Sequence, residues 1–174
     1  FIRNDGKVLN LVPDLYNAWH AGISYWNNHH SLNRYSIGVE INNPGHDNTY
    51  KKFSSKQINS LIKLLRYLKK RYRISKNNVL GHSDISPNRK KDPGEKFPWK
   101  KLANLNLCKW HKLNEKKIKQ YRNLKVNNYE KKLFFKNLRY IGYLKLSNKS
   151  SKNHENNLVK AFQRKFRQSL INGT

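Results

Sequence analysis

The sequence predicts an α/β fold, in which a mixed sheet is flanked by helices and followed by a small all-α appendage. Three patterns support this class. Apolar residues alternate strictly from 35 to 41, which is the period of a strand with one buried face. Between residues 58 and 72 the apolar residues recur at the spacing of one helix face. Helical spacing returns twice after residue 128, which indicates an all-helical part beyond the α/β part.

The N-terminal third is predicted to contain a hairpin, a long loop and a strand. Asp5-Gly6 within residues 1–12 suits a tight hairpin turn, because glycine adopts positive φ without strain. Residues 13–34 lack periodicity, which predicts an ordered loop. In the strand at 35–41, one face is expected inward and the other outward. The inward set is Tyr35, Ile37, Val39 and Ile41, and the outward set is Ser36, Gly38 and Glu40.

The middle of the chain predicts a long helix, a short strand and a second helix. Ser54 and Gln57 fit a capping box that starts the long helix. We expect residues 78–81 to form a short buried strand and Pro98 to begin a helix over 98–105. The long helix has an apolar stripe of Ile58, Leu61, Ile62, Leu65, Leu68 and Tyr72, and a basic face of Lys63, Arg66, Lys69, Lys70 and Arg73 that we expect to be solvated.

The C-terminal part is predicted to be a linker at 113–128, compatible with a helix, and a helical domain at 129–174. Its two helices, 129–144 and 156–170, are separated by a polar break at 147–153. Two helices of this length bury little surface, so we expect marginal stability for this part by itself. Their inward residues are predicted to be Leu133, Phe134, Leu138, Ile141, Leu158, Val159, Phe162 and Phe166.

Composition restricts the possible classes of protein. The 174 residues carry a formal net charge of +27, which attracts polyanions such as nucleic acid, anionic lipid or acidic wall polymers. Lysine and asparagine are abundant along the whole chain, so a bias in base composition is the favoured explanation of the charge, and no specific nucleic acid is expected. The single cysteine, Cys108, excludes an internal disulfide and is expected to be a small buried hydrophobe.

The ends of the sequence carry two further expectations. No apolar run approaches the roughly 18 residues that a membrane-spanning helix needs, and no signal peptide is visible. The chain opens with Phe1 and contains no methionine, so we expect that residues preceding it have been removed.

The loop at residues 81–94 has the strongest chemical signal. It places His82, Lys90 and Asp92 between an apolar run and a Pro-Gly turn, which can hold such groups at fixed distances. Histidine and aspartate are good zinc ligands, and a lysine suits a developing oxyanion. The combination indicates a hydrolytic metal site.

Five blocks of the chain resemble the type 2 N-acetylmuramoyl-L-alanine amidases, a zinc family that cleaves peptidoglycan between the muramic acid lactyl group and L-alanine. The resemblance covers roughly residues 1–112 and implies an amidase type 2 fold and an amidase activity that depends on Zn²⁺. The blocks are Trp19-His20-Ala21-Gly22, Ser36-Ile37-Gly38-Val39-Glu40, Gly81-His82-Ser83-Asp84-Ile85, Arg89-Lys90-Lys91-Asp92-Pro93-Gly94 and Phe97-Pro98-Trp99.

The resemblance implies roles for four residues. His82 and Asp92 match two of the family's three zinc ligands, Glu40 matches its proton-transferring glutamate, and Lys90 matches the lysine that stabilises the oxyanion. Each residue also has a plain structural alternative. His82 could cap a turn, Asp92 could form one, Glu40 could be a solvated edge residue, and Lys91 competes with Lys90 as the amine.

Four more residues match positions near the family's substrate groove: Trp19, His20, Asn33 and Arg89. Trp19 would stack on apolar faces of a substrate, although core packing is an equal alternative, and Arg89 would meet a peptide carboxylate.

The family's third ligand is a histidine on a strand upstream of the hairpin at residues 1–12. We expect both this histidine and this first strand to lie outside the present sequence. Two ligands hold zinc far more weakly than three. His20 is a conceivable substitute, but nothing in the sequence brings it to the site.

The C-terminal part resembles the three-helix peptidoglycan-binding domain of some envelope amidases, through the stretches at 140–143 and 161–166. Its third helix would lie beyond Thr174. This resemblance implies a peptidoglycan or muropeptide substrate and a location in the periplasm or cell envelope. Two alternatives remain: an inactive or wall-binding remnant of such an amidase, and a basic nucleic-acid-binding protein.

Overall fold

A computed structural model of the chain describes residues 1–121, 124–144 and 151–174, apart from the side chain of Glu115. The regular elements within these residues are two short strands and six helices. The strands are β1 (Tyr25–Trp26) and β2 (His29–His30), and the helices are α1 (Ser55–Arg71), α2 (His82–Ile85), α3 (Trp99–Asn104), α4 (Glu115–Tyr121), α5 (Asn128–Ile141) and α6 (Lys152–Phe166). Short 3₁₀ turns cover Leu32–Arg34 and Lys76–Asn78.

Ile2 is the centre of a small mixed β arrangement. It bridges antiparallel to Val8, as expected for the predicted hairpin, and parallel to Ile41. The turn contains Gly6 with φ of +86°, as the Asp-Gly dipeptide predicts. The Ile2 side chain is fully buried, so the N-terminus is part of the main core.

The predicted strand at 35–41 is only partly confirmed. Val39 and Ile41 pack against the core, but Tyr35 and Ile37 are 64% and 42% exposed, which contradicts their predicted inward positions. Backbone pairing with Ile2 involves only residues 40–42 of this segment. Among the described residues, no strand pairs with 35–39, so nothing presses one face of that stretch onto the core.

The loop at 13–34 contains an antiparallel hairpin that the sequence analysis missed. Tyr25 pairs with His30 and Trp26 with His29. Asn27 and Asn28 connect them with φ of 48° and 67°. Positive φ at both positions is typical of the type I′ turn, for which asparagine is a favoured residue.

Helix α1 confirms the prediction for residues 54–72. The Ser54 side chain accepts the Gln57 N–H and the Gln57 side chain accepts the Ser54 N–H, which completes the capping box. Five apolar residues of its stripe are buried, whereas Tyr72 lies beyond the helix end and is 39% exposed. Four residues of the stripe, Ile58, Leu61, Ile62 and Leu65, belong to the first core cluster. Its other buried members are Ile2, Phe97, Trp99, Leu102, Leu107 and Cys108.

The predicted strand at 78–81 is wrong. Residues 76–78 form a 3₁₀ turn, and half-buried Val79 and Leu80 lead directly into α2. Two apolar residues such as Val79 and Leu80 occur in buried segments of any secondary structure, so they do not specify a strand. Among the described residues, no strand lies beside them to pair with. The predicted helix at 98–105 is confirmed as α3.

The C-terminal helices share a second core cluster with the N-terminal part. Helix α4 lies within the predicted linker, and α6 begins and ends four residues before its predicted bounds, with Ser151 as its N-cap. Leu133 is 41% exposed, contrary to its predicted inward position. The second cluster joins Ala21, Trp26 and Leu32 to Leu138, Tyr143, Leu158 and Ala161. These helices therefore bury their apolar faces against the α/β part; the predicted break at 147–153 lies mostly outside the described residues.

In the part of the chain that the structure describes, every helix is too short or too polar to cross a membrane.

Candidate functional site

The loop at 81–94 brings its two predicted metal ligands together. Nδ1 of His82 lies 3.0 Å from Oδ2 of Asp92, and the Ser83 N–H donates to the Asp92 carbonyl at 2.9 Å. His82 is 14% exposed and Asp92 is 56% exposed. Burial alone raises the pKa of the Asp92 carboxyl, but the hydrogen bond and charge of His82 and the charge of Lys90 bring this pKa below its ordinary value.

Gly81 permits this close approach of the two ends of the loop. A Cβ at residue 81 would lie 2.7 Å from Cδ of Pro93 and 3.2 Å from Cζ2 of Trp99. The Asp92–Pro93 peptide bond is cis. A larger residue at 81 would push the Asp92–Pro93 turn away from α2 and separate the two candidate ligands.

The other ring nitrogen of His82 is held by the backbone. Nε2 lies 3.2 Å from the carbonyl oxygen of Ala21, which can accept a proton carried on Nε2. A metal bound between His82 and Asp92 would replace the Nδ1 proton that bonds Asp92 in the metal-free chain. Histidines that bind a metal commonly donate their second N–H to a carbonyl in this way. Nη2 of Arg89 donates to the same carbonyl at 2.7 Å and lies 3.3 Å from Nε2.

The two donors are of the types that zinc binds, and they are one fewer than a catalytic zinc takes. Two ligands about 2.1 Å from one tetrahedral zinc lie about 3.4 Å apart. The observed separation of 3.0 Å between Nδ1 and Oδ2 is that of a hydrogen bond, so the two side chains would move apart by about 0.4 Å to hold the ion. Within residues 1–121, 124–144 and 151–174, no three His, Cys, Asp or Glu side chains gather as a metal-binding group, so the structure assembles a pair of donors.

His20 is engaged away from this pair. Its Nδ1 lies 2.9 Å from the Ala18 carbonyl and its Nε2 lies 2.9 Å from Oγ of Ser36. The ring covers Gly38, where a Cβ would stand 2.6 Å from Cγ of His20. The structure therefore does not place His20 as a substitute ligand, and it connects the 19–22 loop to the segment that carries Glu40.

Glu40 lies beside the N-terminal pairing. Its carbonyl accepts the Ile2 N–H at 2.8 Å, and its side chain is exposed. Ser36 and Gly38, which share its predicted face, both contact His20. Because His20 is followed by Ala21, whose carbonyl contacts His82, the 19–22 loop links the Glu40 segment to the His82–Asp92 pair.

The two candidate lysines differ in environment. Lys90 is half-buried, and its charge lowers the pKa of Asp92, whereas Lys91 is exposed. The Lys90 N–H donates to the Ser86 carbonyl at 2.9 Å, which fixes the backbone of this turn. These contacts bring Lys90, rather than Lys91, close to the candidate metal pair.

The candidate substrate residues have distinct surroundings. Trp19 is 88% exposed, which contradicts its alternative as a core residue. Oδ1 of Asn33 accepts the N–H groups of His20 and Ala21 at 3.1 and 2.7 Å, so this side chain shapes the 19–22 loop. Arg89 also donates to Oγ of Ser86 at 3.2 Å, so one guanidinium nitrogen binds within the protein.

The sequence analysis missed a buried group beneath the site. Asp84, on α2, accepts hydrogen bonds from Tyr143 and Lys165, which lie on the C-terminal part. The position of Asp84, two residues after His82, was the available signal. Nothing in the local sequence marks Lys165 among the many lysines.

The family model for N-acetylmuramoyl-L-alanine amidases, Amidase_2, matches residues 1–95. The chain belongs to this amidase family. The match confirms the resemblance predicted from the five blocks.

Similar amidases support the same assignment. The chain is 42% identical over 115 residues to the N-acetylmuramoyl-L-alanine amidase AmiD of Escherichia coli, covering 62% of this chain and 42% of AmiD. It is 40% identical over 101 residues to the 1,6-anhydro-N-acetylmuramyl-L-alanine amidase AmpD of Enterobacter cloacae, covering 58% of this chain and 52% of AmpD. The chain thus spans about half the length of these relatives.

A solved amidase structure shares the fold. The complex of E. coli AmiD with the substrate anhydro-N-acetylmuramic acid-L-Ala-D-gamma-Glu-L-Lys matches with a TM-score of 0.81 and 32% identity, over 96% of this chain and 66% of that one. This likeness confirms the predicted α/β class of the amidase type 2 fold.

Proposed function

We propose that this chain carries a zinc-dependent centre that hydrolyses the amide bond between N-acetylmuramic acid and L-alanine in peptidoglycan or muropeptides. The observation that carries the proposal is the His82–Asp92 pair, with Nδ1 facing Oδ2 at 3.0 Å and Nε2 held at the Ala21 carbonyl. Membership of the amidase family supports the choice of reaction.

His82 through Nδ1 and Asp92 through Oδ2 would hold the ion. Zinc lowers the pKa of water to about 7 and polarises a carbonyl, which compensates for the weak nucleophilicity of water towards an amide. A catalytic zinc takes three protein ligands. The expectation that the third ligand is a histidine outside this sequence stays a prediction.

The remaining roles are assigned to Glu40 and Lys90 from their match to the family's motifs. The Glu40 carboxylate takes a proton from the attacking water and passes it to the leaving nitrogen of L-alanine. The Lys90 ammonium stabilises the negative charge that develops on the amide oxygen. Exposed Trp19 offers a stacking face to the substrate, and His20, Asn33 and Arg89 shape the adjoining loop.

We infer that the enzyme acts on wall material in the periplasm or cell envelope. The support is the resemblance of residues 129–174 to a peptidoglycan-binding domain, joined by residues 113–128 to the amidase domain at 1–112. Hydrolysis of intact sacculi, compared with hydrolysis of anhydro-muropeptide, tests this part. A chain that cleaves only the soluble fragment would contradict an envelope role.

The first test is zinc content. Elemental analysis after dialysis against trace zinc would give about one zinc per chain if a third ligand is recruited within the chain or across a dimer, and His82→Ala should then lose that zinc. Zinc near zero in the unsubstituted chain would overturn the proposal for this polypeptide and favour an inactive remnant.

The second test is hydrolysis. Mass spectrometry should detect release of a peptide with a free N-terminal L-alanine from anhydro-N-acetylmuramic acid-L-Ala-D-gamma-Glu-L-Lys, the substrate in the AmiD complex. Glu40→Gln should reduce the rate by about 10²–10⁴-fold without changing zinc content. Glu130→Gln, which changes the side chain that accepts the Asn127 N–H at the start of α5, is the matched control. Salt-dependent binding of arbitrary DNA without any cleavage would favour the nucleic-acid alternative.

A further inference from the structure

Three side chains from distant parts of the chain form a buried polar group beneath α2. Asp84, Tyr143 and Lys165 are 2%, 1% and 4% exposed. The Tyr143 hydroxyl donates to Oδ1 of Asp84 at 2.5 Å, and Nζ of Lys165 donates to Oδ2 at 3.1 Å. Both carboxylate oxygens are therefore bonded to residues of the C-terminal part.

Asp84 also bonds the backbone of Gly81, the residue before His82. Its Oδ2 also accepts the Gly81 N–H at 2.8 Å, and Gly81 is the N-cap of α2, whose first residue is His82. Nζ of Lys165 donates in addition to the Val79 carbonyl at 3.0 Å. One ammonium from α6 thus bonds both the segment that enters α2 and the carboxylate within it.

Further contacts of α6 lie around the same loop. Nζ of Lys165 stands 4.4 Å from the ring centroid of Trp99, the residue that contacts Gly81. Asn157 donates to the side chain of Asn88 at 3.3 Å. Asn88 lies between the two candidate ligands in the sequence. The C-terminal helix therefore supports the His82 loop from beneath at several points.

The energetics favour a role in geometry over a role in stability alone. Replacing a buried ion pair by apolar residues of similar size is often neutral or stabilising, because burial of two charges costs about as much as their attraction returns. A fully bonded buried network, in contrast, restricts the surrounding backbone to one arrangement. Here the restricted backbone is the one that carries His82.

We propose that Asp84, Lys165 and Tyr143 are positioning residues, through which the C-terminal helices hold the His82 backbone in the orientation that metal binding requires. The inference rests on the proposed function of His82 as a ligand. It extends that function by making the C-terminal part a component of the catalytic centre in addition to any role in wall binding.

The test replaces the polar group by apolar residues and follows the loop directly. In the triple variant Asp84→Leu, Tyr143→Phe, Lys165→Met, no buried charge or hydroxyl loses its partner, but the Gly81 N–H loses its acceptor and the Val79 carbonyl its donor. The thermal midpoint should therefore fall, but by less than after truncation of a large buried apolar side chain. Hydrogen exchange of the Ser83 amide, which donates to Asp92 and lies outside the network, should become about tenfold faster in the metal-free chain.

Leu158→Ala is the matched control. Leu158 is 1% exposed on the same helix, so its truncation lowers the thermal midpoint without removing a polar contact. Ser83 exchange in this variant should stay slow. Tyr143→Phe, the mildest change, should give an intermediate exchange rate and covers the case in which the triple variant does not fold.

Zinc titration completes the experiment. The triple variant should bind zinc about 10–100-fold more weakly than both the wild type and Leu158→Ala. Unchanged Ser83 exchange in folded triple and Tyr143→Phe variants would overturn the inference. A wild-type chain that binds no zinc would contradict the proposed function. Hydrogen exchange is measured without metal, so it would still show whether Asp84, Tyr143 and Lys165 hold the His82 loop in place.

Discussion

The imidazole of His20 covers Gly38, so that a methyl group added at residue 38 would lie 2.6 Å from Cγ of the ring. The ring also bonds the Ser36 hydroxyl at 2.9 Å. These contacts join the 19–22 loop to the segment that ends in Glu40. Ala21 in the same loop contacts His82. A displacement at residue 38 should therefore move both the Glu40 segment and the His82–Asp92 pair.

Gly38→Ala should therefore disturb the site through His20. We expect a loss of about 1–3 kcal/mol in the free energy of unfolding, measured in urea, because the packed ring has to move. Amidase activity should fall with it. Ser36→Ala removes the hydroxyl contacts with His20 and with the Leu32 carbonyl but adds no volume, so it should cost less than Gly38→Ala. An equal or greater cost would contradict the steric explanation.

The adjacent lysines offer a matched pair of variants. Half-buried Lys90 acts electrostatically on Asp92, whereas Lys91 is exposed. Lys90→Met should lower kcat by about 10²–10³-fold, the usual cost of losing one oxyanion contact. Lys91→Met should retain the wild-type rate. The roles would be reversed if steady-state kinetics showed the larger loss for Lys91→Met.

The His46–Glu95 contact should make stability depend on acid pH. Burial raises the pKa of the Glu95 carboxyl, but the hydrogen bond from His46, at 3.0 Å, outweighs it, so this pKa lies below its ordinary 4.5. A lowered folded pKa stabilises the protein above the unfolded value, and the benefit disappears as the pH falls through the folded pKa.

Thermal unfolding of wild type and Glu95→Gln between pH 7 and pH 3 measures this effect. Near neutral pH the wild type should be more stable than Glu95→Gln. The difference in the free energy of unfolding should be at most about 1 kcal/mol, because the His46 and Glu95 side chains are partly exposed. The difference should shrink below pH 4.5. A difference that stays constant over the whole range would show that the carboxyl's charge is irrelevant.

Cys108 should be unreactive in the folded chain. Its side chain is 2% exposed, and burial raises the pKa of the thiol to about 11. Only about 0.1% is thiolate at pH 8, and reagents cannot reach the sulfur without opening of the core. Labelling with a thiol reagent should be slow in buffer and fast in urea. Rapid labelling of the native chain would place Cys108 outside the packed core.

Local chemistry in the sequence was sufficient for several elements. The Ser54–Gln57 capping box and the apolar stripe predicted α1, and Asp5-Gly6 predicted the first turn. The blocks around His82 and Glu40 were sufficient to indicate the amidase family, which the family match confirms. These signals work because helical periodicity, caps and tight turns depend on residues only a few positions apart.

Short apolar segments were the main source of error. Strands were predicted at 78–81 and 35–41, yet the described structure gives no pairing partner to 78–81 or to residues 35–39. Strand formation depends on a neighbour that the local sequence does not contain. The Asn27-Asn28 turn was a readable hairpin signal, but it lay between strands only two residues long.

The sequence by itself determined the family, the candidate ligands and the start of the main helix. The tertiary structure alone decided which side chains meet: Nε2 of His82 at the Ala21 carbonyl, 61 residues away, and Lys165 at Asp84, 81 residues away. The sequence does not reveal such partners, because one lysine among 37 basic residues differs from the others only in where packing buries it. Burial of that ammonium against a carboxylate is a property of the assembled core.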